Sequence, residues 1–265
     1  MTVKIEKLTL PYIDKNGLTQ VNAFAFIPSN KRVRAISLFT HGYTSLKSSI
    51  LNWSLRLVEE GVAGILFDLP GHYLGGFTEV QCFETFKTAA PKLFEAALKG
   101  LKELVDDIDP ESTKLIIGGH SLGALLSLKA ISLPSLQEFK TRQVCAVGFG
   151  LPPEGVTHIF DTPFYKSTLA IRGQLVSEAI KPDLMFPWIK EEKEALDLSQ
   201  ESIYLLTGED DVVVGKDGSE RLRDQLLALG NDVVLEKPNK LAHHLPESAA
   251  PHLKKWLKDQ GFFQN

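Results

Sequence analysis

The chain has 265 residues and a formal net charge of −4. Its length suffices for one large domain with a buried core, and 43% hydrophobic and 23% charged residues argue against disorder and coiled coil. The slightly acidic balance does not indicate a nucleic-acid partner, because nucleic-acid binders concentrate positive charge on one face. No apolar run approaches the length of a membrane span, so none is predicted.

Three strands are predicted in the first 40 residues, at 4–10, 21–27 and 35–40. Asn16-Gly17 supplies a turn between the first two, so we expect them to pair as an antiparallel hairpin. The third is apolar almost throughout, as is typical of a strand covered on both faces by helices. The sheet is therefore expected to begin antiparallel and to continue with buried strands.

Beyond residue 49, helical and strand patterns alternate along the chain. Helices are predicted at 49–60, 82–105, 121–133, 219–229 and from 246 onward, and strands at 63–67, 114–118, 143–148, 202–207 and 232–236. This β-α-β alternation indicates an α/β fold. We expect a mostly parallel eight-stranded sheet with helices on both faces.

Residues 151–200 interrupt this alternation after the sixth strand. The segment carries aromatic residues among prolines and charges, and we interpret it as a helical cap inserted in a single domain spanning 1–265. The alternative is a surface excursion that packs its aromatic side chains on the core. If the segment is a cap, Phe164, Phe186 and Trp188 are candidates for contact with a substrate.

Residues 115–126 read LIIGGHSLGALL, an apolar strand followed by GxSxG and a helix. A serine at such a strand-to-helix turn is held in a strained conformation that exposes its hydroxyl, and the flanking Gly119 and Gly123 leave room for the turn. The helix also directs its first amides toward the serine, where they stabilise negative charge. Ser121 is therefore predicted to be a nucleophile.

A serine nucleophile needs a base and a group that orients the base. Three adjacent carboxylates, Glu209, Asp210 and Asp211, follow the strand at 202–207, and two histidines, His243 and His244, precede the last helix. This gives the order serine, acid, histidine. The pattern leaves open which carboxylate and which histidine act.

Four stretches together make the chain resemble the α/β-hydrolase superfamily, particularly its esterase and lipase-like branches with a cap after the sixth strand. They are His41-Gly42-Tyr43, Asp68-Leu69-Pro70-Gly71-His72, the GHSLG turn, and the pair formed by Gly208-xx-Asp211 and His244. The resemblance covers almost the whole chain. Residues 71–76 depart from the GHGxS sequence that relatives often carry, which affects substrate inference only.

The resemblance implies roles for particular residues. The acid of such enzymes commonly stands three residues after a glycine, which favours Asp211, and the histidine precedes an apolar residue, which favours His244 with His243 as the alternative. The backbone amides of Tyr43 and Leu122 are expected to form the oxyanion hole. For the other histidines that accompany these motifs, structural roles are expected.

The implied reaction is acyl transfer through an acyl-enzyme. We expect a carboxylesterase-like serine hydrolase acting on a small-molecule ester, with thioesterase, amidase, peptidase or acyltransferase activity as alternatives. A non-catalytic ligand-binding protein of the same fold is the hypothesis from another class. The implied chemistry requires neither a metal nor an organic cofactor.

The cysteines and the N-terminus bear on the compartment. Cys82 and Cys145 lie in neither a CxxC motif nor a metal-ligand spacing with histidine, and we expect free thiols, with a single disulfide as the alternative. Residues 1–10 alternate charged and apolar side chains, whereas a secretory signal needs an unbroken apolar region. A cytoplasmic location is therefore predicted.

Overall fold

A computed structural model describes residues 3–29, 32–152 and 163–263, without the side chains of 163–167. Eight strands form one sheet: β1 Val3–Asp14, β2 Gly17–Pro28, β3 Ala35–Thr40, β4 Ala63–Phe67, β5 Lys114–His120, β6 Arg142–Val147, β7 Ser202–Leu206 and β8 Asp232–Glu236. Their spatial order is β1-β2-β4-β3-β5-β6-β7-β8. β1 and β2 pair antiparallel, as do β2 and β4, whereas all other neighbours are parallel. The predicted fold class is confirmed.

Strand burial follows position in the sheet. β1 lies at an edge and alternates exposed and covered residues, whereas β3 and β4 are buried at every position. A strand covered on both faces can be apolar throughout because each side chain enters a core. This is why β3 and β4 have the bounds that the sequence predicts.

The described helices are α1 Leu51–Val58, α2 Phe83–Ala89, α3 Leu93–Leu104, α4 Leu122–Ala130, α5 Pro134–Gln137, α6 Pro163–Arg172, α7 Pro182–Glu194, α8 Gly218–Ala228 and α9 Ala250–Asp259. The prediction of one helix over 82–105 is wrong in its continuity. Pro91 separates α2 from α3, because proline has no N–H to donate and its ring crowds the preceding turn.

Two apolar cores lie on opposite faces of the sheet. One contains α3, α4 and α8 and includes Phe94 and Leu125, and the other contains α1 and α9 and includes Trp53 and Leu253. Eight of the nine residues of α4 are buried, so this helix is apolar on all sides. It is enclosed by the sheet and by α7.

No helix in the described ranges is both long and apolar enough to traverse a lipid bilayer.

The segment 151–200, called the insertion below, connects β6 to β7 and contributes α6 and α7. Its backbone joins the loop after β4: the Ser177 amide donates to the Gly71 carbonyl at 2.9 Å, and the Tyr73 amide donates to the Leu175 carbonyl at 2.9 Å. The Ser177 hydroxyl, fully buried, accepts from the Val80 amide at 3.0 Å. The insertion is thus attached to the main sheet through residues 71–80.

Candidate active site

Ser121 occupies the sharp turn between β5 and α4. Its backbone angles are φ 52° and ψ −109°, a conformation that residues other than glycine rarely adopt. Its amide donates to the Val147 carbonyl at 2.9 Å, which holds the turn against the end of β6. The serine lies at the carboxyl edge of the parallel strands and lines a cavity there.

Close backbone contacts explain the two glycines of the GxSxG motif. A Cβ atom on Gly119 would lie 2.5 Å from the carbonyl carbon of Gly123, and a Cβ atom on Gly123 would lie 2.5 Å from the Thr40 carbonyl oxygen. Both distances are well inside van der Waals contact. Only glycine fits at these positions, as the sequence-based account of the motif requires.

Asp211 is buried just beyond β7, with 3% of its surface exposed. Its Oδ1 accepts hydrogen bonds from the amides of Val213 and Val214 at 2.9 and 3.0 Å. Its Oδ2 lies 2.8 Å from Nδ1 of His243. The carboxylate is therefore oriented on one oxygen by the backbone and on the other by the imidazole.

The structure brings His243, and not His244, to Asp211. His243 is largely buried and lines the cavity, whereas the His244 side chain is exposed at the cavity rim. Side chains of consecutive residues leave the backbone in different directions, so one of the pair faces the carboxylate and the other faces solvent. The preference for His244 is corrected to the alternative, His243.

Asp210 and Gly208 hold the histidine loop in place. Asp210 Oδ1 accepts from the Leu241 amide at 3.0 Å. A Cβ atom on Gly208 would lie 2.1 Å from the Leu241 carbonyl oxygen, so the two loops touch through their backbones. Asp210 thus anchors the segment that carries His243, a role that the sequence did not indicate.

His41 and His72 are buried beside this site and bind backbone atoms. His41 Nε2 accepts from the Leu69 amide at 2.9 Å, and His41 Nδ1 lies 2.8 Å from the Gly42 carbonyl oxygen. His72 Nδ1 lies 2.9 Å from the Pro70 carbonyl oxygen. Burial lowers the pKa of His41 to about 4 and that of His72 to about 3. Both rings are neutral supports of their loops at neutral pH.

His120 packs against His243, with ring centroids 4.6 Å apart. It lines the cavity directly before the serine. Burial, reinforced by the neighbouring His243, holds the pKa of His120 well below its usual value. A neutral ring therefore forms one wall of the pocket around His243.

The turn that carries Tyr43 and the start of α4 at Leu122 contain the two amides that the sequence assigns to an oxyanion hole. Gly42 to Ser45 form a turn closed by the Ser45 amide, which donates to the Gly42 carbonyl at 3.2 Å. Tyr43 follows the first residue of this turn, so its own amide takes no part in closing it. Leu122 is the first residue of α4. The amides of the first helical turn have no acceptor carbonyl within the helix.

The cavity at Ser121 has a volume of about 540 Å³, the size of pockets that bind small molecules. Phe186 lines it and packs edge-on against Tyr43 with centroids 5.4 Å apart. Trp188 is not among the lining residues, and instead packs against Phe83 and Phe86. The side chain of Phe164 lies outside the described residues.

Two basic residues of the insertion also line the cavity. Lys193 in the last turn of α7 is partly buried, and Arg172 at the end of α6 is exposed. The sequence did not single them out, because the EEKE pattern of 191–194 is typical of a solvated helix face. In the described part of the chain, no group of three or more His, Cys, Asp or Glu side chains is arranged to hold a metal ion.

Residues 38–253 match the model described as the alpha/beta hydrolase family. The chain belongs to this family. As an α/β hydrolase it is an enzyme of the hydrolase class. Cys82 and Cys145 are both free thiols.

Solved structures show the same fold for this α/β hydrolase at low sequence identity. A thermostable carboxyl esterase from Bacillus coagulans has a TM-score of 0.65 and 15% identity, with 96% of this chain and 98% of that chain covered. A lipase in its open form has a TM-score of 0.64 and 16% identity, with 95% and 97% covered. An epoxide hydrolase from Vigna radiata has a TM-score of 0.62 and 15% identity, with 97% of each chain covered. A search of curated proteins gave no match.

Proposed function

We propose that the protein is a serine hydrolase that cleaves a carboxylic ester, or a related acyl bond, of a small molecule. The observation that carries this proposal is that a strained Ser121 lines the same cavity as His243, whose Nδ1 lies 2.8 Å from buried Asp211. The segment 151–200 acts as a cap over this cavity within a single domain, and Phe186 contributes to the wall that meets the substrate.

Asp211 prepares His243 for proton transfer. With Nδ1–H donating to the carboxylate, His243 presents Nε2 as the acceptor, and the buried charge stabilises the imidazolium that forms during the reaction. Nε2 takes the proton of Ser121 Oγ as the oxygen attacks the carbonyl carbon. The C–O bond of the tetrahedral intermediate then breaks, and His243 returns the proton to the leaving alcohol.

Deacylation repeats these steps with water. His243 removes a proton from water as its oxygen attacks the acyl-enzyme, and then protonates Ser121 Oγ as the acid product leaves. The amides of Tyr43 and Leu122 donate to the oxyanion in both halves of the reaction. In hydrolases where a side-chain donor to the oxyanion has been removed, the loss of transition-state stabilisation is about 3 kcal/mol.

A fluorophosphonate probe tests the nucleophile. We expect the wild-type protein to be labelled, and S121A to be folded but unlabelled and inactive on 4-nitrophenyl butyrate. S127A, which changes a serine of the same helix outside the cavity, is the control and should be labelled normally. A folded wild-type protein that resists labelling would remove the basis of the proposal. Esters, thioesters and amides of one acyl group then rank the bond types.

A further inference from the structure

Lys193 places its ammonium group at the wall of the cavity. Its Nζ donates to the Gly150 carbonyl at 2.8 Å and lies 4.5 Å from the centre of the Phe149 ring. Gly150 is two residues along the same loop from Gly148, where an added Cβ atom would lie 3.2 Å from His243 Nδ1. The ammonium therefore adjoins the loop that supports the proposed base.

No carboxylate within the described part of the chain forms an ion pair with Lys193. Two other lysines do have such partners. Lys190 of α7 contacts Glu194, and Lys129 of α4 contacts Glu192. Burial lowers the pKa of Lys193 to about 8, against the attraction of Asp211, so the group is mainly protonated at neutral pH. A partly desolvated cation costs free energy unless an anion or hydrogen-bond acceptors compensate it. Gly150 satisfies one of its three N–H donors.

The charged residues of the cavity come from different segments of the chain. Among the described lining residues, Lys193 and Arg172 belong to the insertion, whereas the carboxylates Asp210 and Glu247 belong to the loop after β7 and to the 3-10 helix Pro246–Ala249. Asp210 is already bonded to the Leu241 amide. A substrate with an anionic end is therefore best accommodated with that end toward the insertion.

We propose that Lys193 binds a carboxylate carried by the substrate, several bonds from the scissile carbonyl, so that the enzyme prefers anionic esters to neutral ones. This inference rests on the proposed hydrolase function. The remaining ammonium donors form charge-assisted hydrogen bonds to the carboxylate, and Phe149 orients the ammonium by contact with its ring face. Arg172 adds positive charge at the cavity mouth.

Matched substrate pairs test the preference. Mono-4-nitrophenyl adipate against 4-nitrophenyl heptanoate places the carboxylate on the acyl side, and 4-carboxyphenyl butyrate against 4-carbamoylphenyl butyrate places it on the leaving group. We expect K193M to lower the ratio of kcat/KM for the anionic member to that for its neutral partner by about tenfold or more in one pair. K193R should retain most of the preference.

K190M is the control, because Lys190 lies on the same helix, is ion-paired with Glu194 and does not line the cavity. K193Q repeats the measurement with a polar side chain. Equal losses for the charged and neutral members of both pairs, or no loss for either, would overturn the carboxylate site. The pair that responds identifies which side of the ester carries the charge.

A binding measurement separates this proposal from the proposed function. Monomethyl adipate and 4-carboxyphenyl butyrate, which carry the carboxylate on the acyl side and on the leaving group, are each titrated calorimetrically into S121A and into S121A/K193M, so that turnover is not required. We expect one of the two to bind S121A with an affinity at least about tenfold weaker for the double variant. Binding without turnover or probe labelling of the wild type would reject the hydrolase chemistry alone, and equal affinities of the two variants for both ligands would reject the carboxylate site alone.

Discussion

Ser121 adopts a backbone conformation that costs free energy, of the order of 1–3 kcal/mol for a residue of its kind. The surrounding turn enforces it, because Gly119 and Gly123 allow β5, α4 and the end of β3 to approach within contact distances that no Cβ atom would permit. The strain is compensated by packing elsewhere. The strained backbone conformation keeps Ser121 at the edge of the sheet and beside the cavity.

Substitution of the two histidines distinguishes their roles. H243N should lower kcat on 4-nitrophenyl butyrate by at least about a thousandfold, because it removes the ring that joins Asp211 to the nucleophile. H244N should change kcat little, because its side chain is exposed at the rim. Steady-state kinetics on the two purified variants provide the measurement. A larger loss in H244N than in H243N would contradict the pairing with Asp211.

Substitution of Gly148 tests whether the position of the His243 ring, the proposed base, depends on the space beside it. Its φ is +59°, and a Cβ atom there would lie 2.9 Å from His120 Nε2 and 3.2 Å from His243 Nδ1. G148A should therefore displace these rings and reduce kcat, in addition to a backbone cost of about 1 kcal/mol.

Gly230 is a matched control for that substitution. Its φ is +87°, and no atom lies within 4 Å of the position where a Cβ would be added. G230A should carry a similar backbone cost, seen in urea unfolding, but retain full kcat. Equal kcat values for G148A and G230A would show that the positions of the His120 and His243 rings do not depend on the absence of a side chain at Gly148.

At the scale of elements, the insertion is held by a few specific bonds to the loop after β4. Ser177 is central among them, because its hydroxyl donates to Glu79 Oε2 at 2.8 Å and accepts from the Val80 amide at 3.0 Å. That loop is itself fixed by a buried ion pair in which Lys47 Nζ lies 2.5 Å from Asp68 Oδ2. The position of the cavity wall thus depends on residues far apart in sequence.

S177A should lower the free energy of unfolding by about 1–3 kcal/mol, because it leaves the buried Val80 N–H without an acceptor. S112A removes an exposed hydroxyl that donates to Asp109 at 2.8 Å, and should change stability by less than about 0.5 kcal/mol. Urea titration at pH 7 measures both. Equal losses would indicate that the contact of the insertion at Ser177 contributes nothing specific.

At the scale of the whole molecule, buried neutral histidines make stability depend on pH. The pKa values of His41 and His72 are about 4 and about 3 in the folded chain, against about 6.5 in an unfolded one. Between pH 6.5 and 4 the unfolded chain binds more protons, so the free energy of unfolding falls as the pH is lowered. Each histidine should account for a loss of roughly 2 kcal/mol between pH 7.5 and pH 5.

Urea unfolding at these two pH values measures the loss. H72N should show a loss smaller by one histidine's share, even if it is less stable at both pH values. H244N, which removes an exposed histidine, is the matched control and should show the wild-type pH dependence. An undiminished pH dependence in H72N would mean that His72 does not stay neutral in the folded protein.

The sequence by itself determined the mostly parallel sheet, the turn at Ser121 and the order of the functional segments. Strand and helix periodicities, together with the glycines at 119 and 123, are local signals, because each depends on a few residues along one stretch of chain. Local periodicity did not show the break at Pro91 inside 82–105, where a single residue without an N–H ends one helix and begins the next.

Tertiary structure alone decided which side chains meet. The choice between His243 and His244 depends on which of two adjacent side chains points inward, and this is set by the contact between the loops carrying Gly208 and Leu241. Lys193 belongs to the cavity only because the insertion packs back onto the sheet through residues 71–80. Such contacts join segments tens to more than a hundred residues apart, so no local pattern encodes them.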